Sequence, residues 1–114
     1  GATTWSWTSC EVGQCRAVVY ADSLNPVSEG DFRFSGGNGR PDISKSFAAS
    51  IAKLAALDCD IVLSTHPGAS NTFEKQAART ANKNPFVDPA SCRDYAAVAT
   101  ERLRVRLAEE SKPN

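Results

Sequence analysis

Two unbroken apolar runs, "AVVY" at 17–20 and "IVL" at 61–63, constrain this chain more than anything else in it. A strand with one wet face alternates apolar and polar side chains, whereas a continuous apolar run belongs to a strand covered on both faces. Each run therefore calls for a sheet with one layer above it and another below. The rest of the chain has to supply those layers.

Helices supply one. Asp42 is placed to cap "ISKSFAASIAKLAAL", where Ile43, Phe47, Ile51 and Leu54 recur at intervals of four and three and so line one face. A shorter helix is expected to start near Ser70 or Asn71 in "SNTFEKQAARTANK". The last is the clearest, with Asp88 as N-cap, Pro89 at the first helical position, and Tyr95, Ala99, Leu103 and Leu107 as a stripe beneath a charged exterior.

Toward the start, "TTWSWTS" alternates Trp5 and Trp7 with Thr4, Ser6 and Thr8, the pattern of a half-buried strand. Gly13 then turns the chain into "CRAVVYA", so residues 3–21 read as a β-hairpin. The stretch "DSLNPVSEGDFRFSGGNGRPD" reads as a long loop crossed by one brief strand at "DFRF". The fold class expected is α/β (α+β), with one mixed sheet and helices on one face. Nothing is left to cover the other face, so the sequence reads as half of a layered sandwich.

A chain of 114 residues has the size of one domain. Its 13 basic and 13 acidic residues are interspersed, which argues against nucleic acid or an anionic membrane as partner. No run approaches the ~20 apolar residues of a membrane span, and "GATTWSW" lacks the basic and apolar regions of a signal peptide. There is no methionine, not even an initiating one, so the chain is expected to begin after processing or at a cut.

The cysteines are Cys10, Cys15, Cys59 and Cys92. An even count fits two disulfides and an oxidising compartment, with three pairings open. The rival is a four-cysteine zinc site, for which "CEVGQC" is wide and Cys59 with Cys92 is no knuckle pair. The hairpin sets Cys10 facing Cys15 near its tip. A disulfide there would close a short loop and sit at the low end of the ~2 to 4 kcal/mol range.

The one histidine, His66, leaves the strand "IVL", and ligand sites in α/β sheets lie beyond the carboxyl ends of strands. Gly68 allows close backbone approach. The plainer reading of "PGASN" is a turn followed by an N-cap serine. Asp22 and Ser23 leave "AVVY" in the same way, and Asp22 has three candidate roles there: metal ligand, general base, or start of an Asx-turn. No GxSxG pattern surrounds Ser23, so no nucleophile elbow is present.

Taken together and in order, "TTWSW", "SCEVGQC", "VVYADSLNPVS", "FAASIAKLAALDCDIVLSTHPGASNTFEK" and "FVDPASCRDYAAVATERL" resemble the C-terminal half of a subclass B3 metallo-β-lactamase over nearly all the chain. The resemblance implies an αββα sandwich of two similar halves, of which residues 1–114 are the C-terminal half-domain, in a periplasmic or secreted hydrolase. In that family two zinc ions in the groove between the halves hold a hydroxide that attacks the β-lactam carbonyl.

The resemblance makes His66 a ligand of the second zinc. It makes Ser23 a hydrogen-bonding residue where related hydrolases carry a metal-binding Asp or Cys, and sets Asn25 at a position that helps hold the substrate carboxylate. It also pairs Cys10 with Cys15 and Cys59 with Cys92. The family takes its remaining ligands from an HxHxDH motif in the N-terminal half and from an HTPG histidine directly before "TTWSW". Gly1 matches the glycine of that HTPG, so five of the six ligands fall outside this sequence.

The expectation is therefore that the chain alone holds no zinc, or holds it weakly, and leaves β-lactams intact. Its partner would be the N-terminal half of the same fold. The alternative is a non-catalytic, self-associating scaffold, a homodimer imitating the full sandwich.

Overall fold

The computed structural model describes residues 3–113; Gly1, with its expected match to the HTPG glycine, lies outside them. Strands β1 (Trp5–Glu11) and β2 (Gln14–Ala21) form the expected antiparallel hairpin, in register from Trp5 opposite Tyr20 to Glu11 opposite Gln14. Val12 and Gly13 make the turn with φ of 48° and 78°, as a type I′ hairpin turn requires. Glycine adopts that conformation freely, whereas a β-branched valine is strained in it.

Strand β3 (Ile61–Ser64) pairs with β2 in parallel, giving the order β1-β2-β3. A parallel neighbour needs a crossover, and α1 (Ser44–Ala55) provides it. A 3-10 turn (Pro67–Ser70), α2 (Thr72–Ala77) and α3 (Ser91–Glu110) follow. Both predicted caps act from slightly further out. Asp42 Oδ1 accepts from the Ser44 amide at 2.8 Å and its hydroxyl at 2.6 Å. Asp88 Oδ1 accepts from the Ala90 amide at 2.9 Å, so Pro89 sits in the turn that leads into α3.

One face of the sheet is covered. Val19, Ala21 and Val62 pack with Leu54, Cys59 and Cys92, and Ile51 of α1 packs with Ala96, Ala99 and Leu103 of α3. The α3 stripe thus faces inward as read, with Tyr95 and Leu107 half-buried at its ends. No α2 residue is buried, so two helices form this layer where three were expected.

The opposite face is largely open. The register lines up Trp5, Tyr20 and Leu63 in one row and Trp7, Val18 and Ile61 in the next. Trp5 is 66% exposed, Trp7 48% and Tyr20 38%. This corrects the half-buried reading of β1, whose residues are all exposed. Its tryptophans point away from the helices, while Thr4 and Ser6 line a gap of ≈ 310 Å³ beside α1. Alternation tells which residues share a face, but not which face is covered.

The brief strand expected at "DFRF" does not form. Phe34 is buried edge-on between Phe32 (5.2 Å) and Phe47 (5.5 Å), and its amide bonds the Glu110 carboxylate instead of another strand. The loop turns at Gly36 with φ of 84°, where a Cβ would stand 2.8 Å from the Asp42 nitrogen.

Disulfides Cys10–Cys15 and Cys59–Cys92 take up all four cysteines, which removes the four-cysteine zinc reading. The first joins a directly opposed pair in the hairpin, and the second ties the approach to β3 to the first turn of α3. Among the described residues no helix is long and apolar enough to cross a membrane.

Candidate functional site

Because β2 and β3 are parallel, their carboxyl ends lie together, with Ala21 opposite Ser64. The residues that follow, Asp22–Asn25 and Thr65–His66, therefore leave the same edge of the sheet, where α/β folds place ligands. The two turns and α3 enclose a cavity of ≈ 240 Å³ lined by Ser23, Asn25, His66, Tyr95 and Arg102, among others. The structure thus brings together the three residues that the resemblance singled out.

The three are held differently. The His66 amide donates to Ser64 Oγ at 3.2 Å and its carbonyl accepts from the Ala69 amide at 2.9 Å, which fixes the backbone and leaves the imidazole exposed. Ser23 Oγ accepts from the Asn25 amide at 3.4 Å, a hydroxyl-closed turn. Asn25 is exposed at the cavity mouth.

Asp22 is occupied with structure. Its Oδ1 accepts from the Ser23 amide at 2.6 Å and its Oδ2 from the Thr3 amide at 3.0 Å, while its own amide donates to Thr4 Oγ1. The bond from Ser23 and then that from Thr3 hold its carboxyl below the usual aspartate range. An Asx-turn would bond the amide two residues on, at Leu24, whereas these bonds run to Ser23 and Thr3, so the carboxylate ties the start of the loop to the residues before β1 instead.

Zinc, which the resemblance implies, does not fit the residues present. Among the described residues no group of three or more His, Cys, Asp or Glu side chains converges. A catalytic zinc takes three protein ligands, and here a single imidazole stands beside a carboxylate already engaged by two amides.

Sequence reading passed over two cavity residues. Tyr95 was read as one of the core stripe, although a hydroxyl at the end of such a stripe is a signal that it reaches a polar partner. Arg102 lies on the charged exterior of α3, and nothing in its local sequence sets it apart from Arg104.

No family model matches the sequence. Solved structures do. The chain superposes on the Rm3 metallo-β-lactamase with a TM-score of 0.87 and 38% identity, over 96% of this chain and 41% of that one. For MEM-A1, a subclass B3 metallo-β-lactamase isolated from a soil metagenome library, the TM-score is 0.86 and the identity 41%, over 95% of this chain and 41% of that one. MIM-1 of Novosphingobium pentaromativorans gives 0.80 and 35%, over 95% and 37%.

The fold is that of a metallo-β-lactamase over the part spanned. Within that class the chain is similar to subclass B3 enzymes, and it spans about 41% of the length of the Rm3 and MEM-A1 enzymes.

Proposed function

We propose that the chain is the C-terminal half-domain of a zinc-dependent β-lactamase of the B3 type, supplying one zinc ligand, His66, together with Ser23 and Asn25 on the substrate side. The observation that carries this reading is identity of 38–41% over 95–96% of the chain to metallo-β-lactamases, one of them of named subclass B3. That identity comes with His66, Ser23 and Asn25 gathered at one cavity. Two disulfides support a periplasmic or secreted setting.

By themselves these 114 residues neither bind zinc tightly nor open β-lactam rings, because the donor set is incomplete. The test is to mix the purified chain with the N-terminal half of a B3 enzyme and follow a chromogenic cephalosporin. The expected result is hydrolysis only in the mixture, abolished by chelator and by His66→Ala. Chelator-sensitive turnover by the chain alone would refute it.

The open face favours a second reading, a self-associating half-fold in which a second copy takes the place of the missing layer. Trp5, Trp7 and Tyr20 leave on the order of 300 Å² uncovered, at roughly 150–250 Å² per aromatic side chain. Sedimentation of the chain from micromolar to millimolar concentration separates the two readings.

A further inference from the structure

The turns that carry Ser23 and His66 are linked through α3. Tyr95 Oη lies 3.2 Å from Ser64 Oγ and 3.5 Å from the Asp22 carbonyl oxygen, and Ser64 Oγ accepts from the His66 amide at 3.2 Å. A carbonyl only accepts and each hydroxyl has one hydrogen to give. The assignment that satisfies all three contacts therefore runs one way: His66 N–H to Ser64 Oγ, Ser64 O–H to Tyr95 Oη, and Tyr95 O–H to the Asp22 carbonyl. Ser64 is buried, so its hydroxyl has to be partnered within the protein.

The helix is well placed to act as a fixed reference. Cys92 lies one turn before Tyr95 on the same side of α3, and its disulfide to Cys59 pins that turn to the approach to β3. Tyr95 then reaches the far end of the same strand. Its ring packs against the core cluster of Val19, Ala21 and Val62, which leaves the hydroxyl as the part that links the two turns.

We propose that Tyr95 is a positioning residue whose hydroxyl sets the spacing between the turn that presents Ser23 and the turn that presents His66. Tyr95→Phe keeps the ring and removes the link. Its effect differs from general loosening, because it appears at two turns distant in sequence and depends on Ser64.

The experiment is amide hydrogen exchange by NMR on the ¹⁵N-labelled chain, comparing the parent, Tyr95→Phe, Ser64→Ala and the double variant. Loss of the link is expected to speed exchange about fivefold at both Ser23 and His66, with Val18 and Val19 in the sheet unchanged. Ser64→Ala added to Tyr95→Phe should change Ser23 by less than about twofold more, since two members of one chain of bonds are not additive. Unchanged exchange at Ser23, an equal rise throughout the sheet, or fully additive effects would each overturn the proposal. These readouts need neither zinc nor turnover, so the outcome is independent of the function proposed above.

Discussion

Replacing Glu110 with glutamine tests how the long loop is fastened. The Glu110 side chain is only 5% exposed, and it accepts from the Phe34 amide and Arg106 Nε on one oxygen, and from the Ser35 amide and hydroxyl on the other. Burial alone would raise its pKa, but the bonds from Arg106, Ser35 and Phe34 outweigh burial and bring it from 4.5 down to about 2. A drop of that size corresponds to about 3 kcal/mol as an upper bound, at 1.36 kcal/mol per pKa unit. Partial solvent access at Arg106 brings the figure for Glu110→Gln nearer to about 2 kcal/mol.

The pH sign follows from the depressed folded value. The contribution is complete above the unfolded pKa of 4.5 and is lost as pH falls through the interval down to about 2. Urea unfolding of the parent and Glu110→Gln at fixed concentration should therefore differ by about 2 kcal/mol at neutral pH. The gap should shrink to less than half that by about pH 3. A gap below about 0.5 kcal/mol at neutral pH, or one that stays constant down to about pH 2.5, would refute the reasoning.

Val12→Asn should stabilise the chain by about 0.5–1 kcal/mol in thermal unfolding, because valine sits exposed at φ of 48° where Asn-Gly is the favoured hairpin turn. Removing the Cys59–Cys92 bridge, which spans 33 residues, should cost about 1.5 kcal/mol more than removing Cys10–Cys15, which spans 5, as measured by denaturant midpoints of the paired Cys→Ala variants. Trp5→Thr with Trp7→Thr should shift any self-association toward monomer by at least about thirtyfold in dissociation constant, measured by sedimentation, while leaving monomer stability within about 0.5 kcal/mol.

Local pattern carried most of the layout. The Tyr95, Ala99, Leu103 and Leu107 spacing, the Gly13 turn and the apolar runs of β2 and β3 each depend on neighbours a few residues away, and each appears in the structure. What was not legible depends on distant partners. "DFRF" alternates like a strand, yet Glu110, 76 residues further along, takes the Phe34 amide and leaves no ladder to join. α2 has a helical sequence, but nothing in it says that the helix stays clear of the sheet. At the site, the strand-end positions of Asp22, Ser23 and His66 were visible. The bonds that tie the Asp22 carboxylate to Ser23 and Thr3, and the hydroxyl of Tyr95 behind both turns, were not.

The open face and the incomplete site meet at one edge. Tyr20 and Leu63 stand in the next-to-last rung of β2 and β3, two residues before Asp22 and three before His66, so a layer laid over that row also brings its own side chains to the edge where His66 is presented. Whether a separate layer stays there is a matter of magnitude. Two copies stacked face to face would remove on the order of 600 Å² from water, ~15 kcal/mol at 25 cal/mol per Å². Association itself costs about 4–15 kcal/mol, the same size. A layer joined in one polypeptide, at an effective concentration on the order of millimolar, has an advantage of about a thousandfold, or about 4 kcal/mol, over a separate copy at micromolar concentration. Under the function proposed above, an N-terminal half joined to this chain would therefore take the Trp5–Tyr20–Leu63 face in preference to a second copy, and the same layer would be the one to complete the donor set around His66.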